Sequence, residues 1–279
     1  MTPDPLHCNN SSRNTTNSSE NVEARGKRIR LDTMTSDKTF AAEFVNCSRI
    51  AYSAAGLLYT VATPIGNLSD ITYRAVEVLK SVDLIVAEDT RHSKVLLDKY
   101  GITKPLESFH AHSDDSKLDL LIRKLLAGEN LALISDAGTP GISDPGFRLI
   151  SKAVELGVKV IPIPGASAFL TGLQAAGLPT DKFIYLGFLP IKKGRQTLFK
   201  KIAEEEKTIV FYESPHRIQK TLSQIAEFMP GRYISVAREL TKIYEEFIAG
   251  PVEEVAKKVK PKGEFVVMIA PKDFKKFNR

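Results

Sequence analysis

A loop rich in glycine and proline is the segment of this sequence best suited to hold a ligand. It runs from Ser135 to Gly146, follows an apolar stretch, and contains three glycines and two prolines. Because glycine lets the backbone come close to another molecule, such a loop can offer its amide groups to a ligand's polar atoms. A long structural turn accounts for the same residues equally well, so the loop alone leaves both interpretations open.

The spacing of the glycines excludes two common nucleotide-binding motifs. No two of the 17 glycines lie two positions apart, so the Gly-x-Gly element of Rossmann dinucleotide sites and Rossmann-type methyltransferases is absent. No Gly-x-x-x-x-Gly-Lys segment occurs either, which removes the Walker A phosphate loop. A nucleotide-like ligand must therefore be held in another way.

The cysteines and histidines do not have the spacing of a metal site. Cys8 and Cys47 are the two cysteines, and the five histidines form no His-Glu-x-x-His motif. We therefore expect no bound metal. Two cysteines also cannot form a disulfide scaffold, so a reducing cytoplasm is the expected compartment.

Basic residues gather in two loops that could face a polyanion. Lys192, Lys193 and Arg195 lie in one loop, and Arg91 and Lys94 lie in the other. If both loops border one cleft, they form a positive rim for phosphates. Ordinary solvated side chains are the alternative.

Strand-like and helix-like segments alternate along the chain from Leu57 onward. Alternation of this kind favours a mostly parallel α/β sheet. A second series begins after residues 178–181 and has fewer long helices, which indicates more antiparallel character. The predicted strands are 57–62, 83–88, 131–135, 158–163, 183–189, 208–212, 232–237, 243–248 and 265–270.

These segments predict two α/β domains with a ligand cleft between them. The first, residues 57–177, should hold the parallel sheet, and the second, residues 178–279, the mixed sheet. Ligands of such sheets bind outside the carboxyl ends of the strands, where the loops gather. The polar and glycine-rich segments of this chain follow predicted strands, so we expect them to line the cleft.

The first 56 residues are predicted to be a disordered N-terminal extension. Eleven of the first twenty residues are Ser, Thr or Asn, a composition that cannot bury enough surface to offset chain entropy. The segment also lacks the apolar core of a secretory signal. It carries seven basic and six acidic residues, so most of the net charge of +6 belongs to the rest of the chain. That excess is compatible with a polyanionic partner.

Eight further stretches are distinctive, and they follow one another along residues 57–271. They are LYTVATPIGNLSDIT (58–72), AEDTRHS (87–93), SDAGTPGISDPG (135–146), PGASA (164–168), GLPTDKF (177–183), GFLP (187–190), FYESPHR (211–217) and ARELTK (237–242).

Taken together, these stretches resemble the tetrapyrrole methylase superfamily, whose members use S-adenosylmethionine. Within it they resemble the branch that 2′-O-methylates a cytidine in small-subunit ribosomal RNA. Tetrapyrrole-modifying members typically carry a Gly-x-Gly-type first loop, whereas here that loop is Thr-Pro-Ile-Gly-Asn. The resemblance implies the two-domain fold of the superfamily, with the cofactor in the cleft between the domains, and a homodimer.

The resemblance also implies a set of cofactor-binding residues from five loops. Two belong to the first loop, four should face the methionine part of the cofactor, two should lie beside it, and two should line its adenine side. In that order they are Pro64 and Gly66; Asp136, Ala137, Gly138 and Ile142; Ser167 and Ala168; Tyr212 and Leu240.

Asp89 is the implied catalytic residue, because an aspartate at this place in relatives approaches the substrate. The alternative is that Asp89 caps the helix that follows it. Arg91 is then expected to hold a phosphate. His216 and Arg217 lie in a matched motif and are further candidates for RNA contact, with surface residues of a helix start as the alternative.

Two other classes of function stay open. A tetrapyrrole C-methyltransferase would use the same cofactor on a small acidic substrate, and the first loop and the FYESPHR and ARELTK motifs disfavour it. A non-catalytic RNA-binding protein is the other class, and the intact cofactor loops disfavour it.

Overall fold

A five-stranded parallel sheet forms the first half of the computed structural model, which describes residues 55–275. The predicted extension thus lies almost wholly outside the described residues. The strands are ordered β3-β2-β4-β1-β5, so β4 is central and lies between β2 and β1. They are β1 (Leu58–Val61), β2 (Leu84–Ala87), β3 (Leu106–Ser108), β4 (Leu131–Ile134) and β5 (Val160–Ile163).

Helices cover both faces of this sheet. Strands β2 and β4 are buried along their whole length, as continuous apolar runs are in a parallel sheet. The helices are α1 (Tyr73–Ser81), α2 (Thr90–Lys99), α3 (Asp115–Leu126), α4 (Phe147–Glu155) and α5 (Ala168–Ala175), and a short 3-10 helix spans Leu68–Asp70.

A mixed five-stranded sheet forms the second half. Its order is β6-β7-β10-β8-β9, in which β6 and β7 are parallel and the other neighbours are antiparallel. The elements are β6 (Phe183–Phe188), α6 (Arg195–Ala203), β7 (Thr208–Glu213), α7 (Ile218–Phe228), β8 (Tyr233–Arg238), β9 (Glu246–Pro251), α8 (Val252–Lys258) and β10 (Phe265–Ile269).

The predicted fold class, a parallel sheet followed by a mixed sheet, is confirmed. The boundary between residues 177 and 178 stays a prediction. Two strands differ from expectation. Strand β3 has only three residues and was not predicted, because so short a run carries no period.

The strand predicted at 243–248 instead spans Glu246–Pro251. The chain turns before it, since Glu239 and Thr241 have positive φ angles of 51° and 64°. The backbone N–H of Thr241 also donates to the Glu245 carboxylate at 2.6 Å, which holds the turn. Ile243 is therefore left 95% exposed in spite of its apolar side chain.

One hydrophobic cluster joins the two halves of the described chain. Ile65 and Leu173 come from the first half, and they pack with Val266 and Met268 of β10. Helix α5 comes very close to that strand at Gly172, where an added Cβ would lie 3.1 Å from Val266 Cγ1. No helix within residues 55–275 is both long and apolar enough to cross a membrane.

We expect Gly172→Leu to destabilise the protein, because the added side chain would push α5 away from β10. Overpacking of this kind costs about 1–3 kcal/mol. Urea unfolding should report the loss, with Ala175→Leu on the exposed part of the same helix as the control. Equal unfolding midpoints for the two variants would contradict the tight packing described here.

Candidate functional site

The loops that follow β1, β2 and β4 meet at one edge of the parallel sheet. Strand β4 lies between the other two, and all three run in the same direction. The register pairs Ala87 with Ile134, so the next residues, Glu88 and Ser135, leave the sheet side by side. This edge is where a sheet of this class binds its ligands.

A cavity of about 400 Å³ lies between that edge and the second sheet. Its size is that of a site for a small organic ligand. Eight of the ten residues predicted to bind the cofactor line it, and they are Asp136, Ala137, Gly138, Ile142, Ser167, Ala168, Tyr212 and Leu240. The remaining two, Pro64 and Gly66, flank Ile65, which does line it.

Two reciprocal backbone hydrogen bonds join the first loop to the glycine-rich loop. Thr63 N–H donates to the Gly138 carbonyl at 2.9 Å, and Gly138 N–H donates to the Thr63 carbonyl at 3.0 Å. Gly138 has a φ of +84°, a backbone conformation that residues other than glycine rarely adopt. The glycine therefore turns the loop so that its backbone faces the cavity.

Gly66 has a packing role in the first loop. An added Cβ would lie 2.9 Å from the Leu240 carbonyl oxygen and 2.7 Å from Thr241 Oγ1. The neighbouring Asn67 N–H donates to the same Thr241 hydroxyl at 3.0 Å. The small residue thus lets the first loop press against the loop that carries Leu240.

Three carboxylates give one side of the cavity its charge. Asp144 accepts the backbone N–H groups of Gly141 and Gly146 at 2.9 and 2.7 Å, which pins the glycine-rich loop. Asp136 accepts the backbone N–H of Asp89 at 2.9 Å. Glu88 is half-buried, and burial followed by the charges of Asp136 and Asp144 raises its pKa.

Aromatic rings from the second sheet also line the cavity. Tyr212 lies between Tyr185 and Phe188, with ring centroids 5.5 Å from each, and its hydroxyl accepts the Phe169 N–H at 3.3 Å. Burial is the main cause that raises the pKa of the Tyr212 phenol, so the phenol stays neutral. Phe188 is 56% exposed although it lines the cavity.

These two sides suit the cofactor that the resemblance implies. The aromatic and apolar side matches a flat heterocycle such as adenine. The carboxylate side matches the positive charge of a sulfonium or ammonium group. The open backbone at Gly138 leaves room for a ligand between the two sides, so the residues present fit S-adenosylmethionine.

Asp89 is placed at the start of α2 and does not line the cavity. Its carboxylate accepts the Arg91 backbone N–H at 2.8 Å and also binds the Arg91 guanidinium, with Oδ2 and Nη2 2.7 Å apart. Hydrogen bonds from Arg91 lower the pKa of this carboxyl. The geometry favours the helix-cap alternative, and the catalytic role of Asp89 stays a prediction.

Arg195 does not belong to the basic rim in which the sequence placed it. Its side chain is only 6% exposed and donates to the Gln224 amide at 2.8 Å, the Pro190 carbonyl at 2.9 Å and the Thr221 hydroxyl at 2.7 Å. The prediction of RNA contact fails here because all three guanidinium nitrogens donate hydrogen bonds to groups inside the protein.

Arg217 is also committed to an internal partner. Its Nε lies 2.9 Å from Oε1 of Glu213, whose side chain is fully buried. A second nitrogen donates to the Leu189 carbonyl at 2.7 Å. The other predicted RNA contacts are exposed at the surface, namely Arg91, Lys94, Lys192, Lys193 and His216.

Sequence reasoning missed several residues that line the cavity. Glu88 is the most consequential, because it brings a carboxylate where Asp89 was expected to provide one. The sequence could have indicated Glu88, because this residue directly follows a buried strand and belongs to the AEDTRHS motif. Phe188, Glu213 and Phe265 were missed as well. Among residues 55–275, no group of three or more His, Cys, Asp or Glu side chains is arranged to hold a metal ion.

Comparisons with known proteins show which family this chain is similar to. Residues 57–256 match the family model described as tetrapyrrole (corrin/porphyrin) methylases. A relative from Synechocystis sp., named ribosomal RNA small subunit methyltransferase I, is 50% identical over 220 residues, which cover 77% of this chain and 79% of that protein. The protein of that name from Escherichia coli O157:H7 is 49% identical over 226 residues, 78% of this chain and 79% of the relative.

A solved structure has the same fold. Uroporphyrin-III C-methyl transferase from Thermus thermophilus, complexed with S-adenosyl homocysteine, matches with a TM-score of 0.57. The match covers 77% of this chain and 97% of that one at 18% identity. At that identity the likeness concerns the fold alone.

We expect Arg195→Met to destabilise the protein, because it leaves the Pro190 carbonyl and the Gln224 amide oxygen without their donor. Unsatisfied buried groups cost about 1–3 kcal/mol each. Denaturant unfolding measures this loss. Lys193→Met is the control, since exposed positions typically change stability by less than about 0.5 kcal/mol. If both variants unfold like the wild type, the internal role of Arg195 is wrong.

Proposed function

The chain belongs to the tetrapyrrole (corrin/porphyrin) methylase family, and from this premise we propose that it methylates small-subunit ribosomal RNA with S-adenosylmethionine. Identity of 49–50% over more than three quarters of the chain to relatives named for that activity carries the proposal. The cavity supports it, because the motifs shared with that branch converge there. The proposed acceptor is the 2′-oxygen of a cytidine ribose.

Cofactor binding is assigned to loops from both sheets. The backbone of Asp136, Ala137 and Gly138 would hold the methionine part, while Tyr212 and Leu240 would line the adenine ring. When bound, S-adenosylmethionine supplies a methyl group already activated by the sulfonium charge. The carboxylates of the cavity complement that charge before the reaction.

The remaining task of the protein is to place the ribose oxygen in line with the methyl group. Positioning of two reactants removes much of the entropic barrier. A ribose hydroxyl is a poor acid, so a base within reach should assist its deprotonation. The polar edge of the sheet, where Glu88 and Asp136 meet, is the part of the cavity suited to that end of the reaction.

Exposed basic residues would hold the RNA through its phosphates. Lys192 and Lys193 follow the cavity-lining Phe188 by a few residues, and Arg91 and Lys94 lie on α2 beside Glu88. His216 follows Pro215, which also lines the cavity. Phosphate contacts of this kind fix the register of the RNA and do not select its sequence.

Two properties of the assembly belong to the same proposal. The family resemblance supports a homodimer, which would supply a longer basic surface for a folded RNA. The ribosomal substrate supports a cytoplasmic location.

A tetrapyrrole C-methyltransferase is the alternative within the family. The first loop, Thr63-Pro64-Ile65-Gly66-Asn67, lacks the Gly-x-Gly element typical of those enzymes. The relatives that are about half identical to this chain are named for ribosomal RNA. Both observations favour the RNA substrate.

Mass spectrometry of ribosomal RNA from a strain without this gene tests the proposal. We expect one ribose methyl group to be lost from a cytidine of the small-subunit RNA and to return with the gene. Labelled methyl transfer from S-adenosylmethionine to purified small subunits then separates an enzyme from a non-catalytic RNA-binding protein. An unchanged methylation map would refute the assignment.

Ala137→Trp and Gly138→Trp should abolish binding of S-adenosylmethionine, because either indole would fill the cavity. Calorimetric titration measures the affinity. Ala137 is exposed within the cavity, so its variant avoids the backbone strain expected at Gly138. Ala175→Trp, on an exposed helix position, is the control. Undiminished affinity in a folded Ala137→Trp protein would count against the cofactor site.

Replacing Lys192 and Lys193 by alanine should weaken RNA binding and flatten its salt dependence. The slope of log affinity against log salt should fall by about 0.7–0.9 for each lost phosphate contact. The pair Lys200 and Lys201, replaced in the same way, removes two exposed charges from α6 and serves as the control. If both double variants keep the wild-type slope, Lys192 and Lys193 do not contact the RNA phosphates.

A further inference from the structure

Glu88 lines the cavity at the edge of the parallel sheet where the loops meet. It leaves β2 beside the start of the Ser135–Gly146 loop, because Ala87 pairs with Ile134. Together with Asp136 and Ser167 it lines the cavity, which is the proposed cofactor site. The fold thus presents this carboxylate, and not that of Asp89, to the ligand.

The other carboxylates near this edge are already engaged. Asp144 accepts two backbone N–H groups of its own loop, and Asp136 accepts the Asp89 N–H. Asp89 caps α2 and pairs with Arg91. Protonation would weaken the several contacts of Asp144 and Asp89, whereas Glu88, like Asp136, accepts a single backbone N–H.

We propose that Glu88 is the catalytic general base that takes the proton from the ribose 2′-hydroxyl, an inference that rests on the proposed function. The Glu88 carboxylate forms an O–H bond as the hydroxyl O–H bond breaks. The electron pair of the ribose oxygen forms the new bond to the methyl carbon. The carbon–sulfur bond breaks, its electron pair stays on sulfur, and the sulfonium becomes a neutral thioether. Glu88 later returns the proton to water.

The surroundings of Glu88 suit this role. Burial raises its pKa first, and the negative charges of Asp136 and Asp144 raise it further. The Asp136 N–H and His110, from the loop after β3, act in the opposite direction. A carboxylate whose pKa is raised is a stronger base.

The test compares three variants in single-turnover methyl transfer to small ribosomal subunits at saturating S-adenosylmethionine. Glu88→Gln keeps the shape and an acceptor oxygen but cannot take a proton, so its rate should fall about 100-fold or more. The rate of Asp89→Asn should fall less than the rate of Glu88→Gln. Glu77→Gln, exposed on α1 and away from the cavity, is the matched control for loss of one carboxylate.

The pH profile separates a base from a group that only binds the cationic cofactor. The wild-type rate of methyl transfer should fall as the pH drops through the pKa of Glu88. The rate of Glu88→Gln should not show this fall. Loss of one of the three carboxylates should weaken cofactor binding, which calorimetry measures, so the rates are compared at saturating S-adenosylmethionine. A Glu88→Gln protein with weaker cofactor binding but a wild-type rate at saturation would overturn the proposal, as would a larger loss in Asp89→Asn.

Thermal unfolding of the cofactor-free protein gives a readout independent of activity. A pKa raised in the folded state means that the ionised form of Glu88 destabilises the fold, so its stabilising protonated form is lost as pH rises. Glu88→Gln should therefore unfold at or above the wild-type temperature at pH 8, and the difference should vanish at acidic pH. A lower unfolding temperature at pH 8 would mark Glu88 as a structural residue and overturn the proposal.

The proposed function and this inference fail in different ways. If the wild-type protein does not methylate small-subunit RNA, the function itself is wrong. If the wild type is active and Glu88→Gln is equally active across the pH range, only the role of Glu88 is wrong.

Discussion

The pair of backbone hydrogen bonds between Thr63 and Gly138 is the interaction on which the cavity depends. It ties the loop after β1 to the loop after β4, and both loops carry residues that line the cavity. Both loops are set in position by parallel pairing of their strands, which brings their carboxyl ends to one edge. Glycine is favoured at 138 because its φ is positive, and its backbone lines the cavity.

The second sheet completes the cavity through contacts that also fix the basic loop. Glu213 lines the cavity and, fully buried, pairs with Arg217. Its carboxylate also accepts the hydroxyl of Thr221 at 2.6 Å, and Thr221 in turn accepts Arg195. Because Arg195 donates to the Pro190 carbonyl, this network joins the cavity wall to the loop that carries Lys192 and Lys193. The proposed cofactor and RNA sites are thus joined by one hydrogen-bond network.

The division of the cavity into an acidic and an aromatic side explains how it can serve a cationic nucleoside. Grouped carboxylates repel one another in the free protein, and a positive ligand relieves that repulsion. Such a cluster is a cost to the stability of the free fold, in the way that functional sites often are. Tyr212 and its aromatic neighbours are neutral, and the two carboxylates that line the cavity from the second sheet, Glu213 and Glu264, are paired with Arg217 and Lys242.

The sequence by itself determined the fold class, the positions of most strands and the loops that line the cavity. Those features depend on local patterns, such as continuous apolar runs and the residues that follow them. The sequence could not predict β3, because a strand of three residues shows no periodicity. It also misplaced β9, because the turn at Glu239–Glu245 is held by a side-chain hydrogen bond. Tertiary structure alone decided which polar side chains are free. Glu88 faces the cavity while Asp89 caps a helix, and Arg195 is buried against Thr221 and Gln224, because hydrogen-bond partners that are distant in sequence are chosen only when the chain packs.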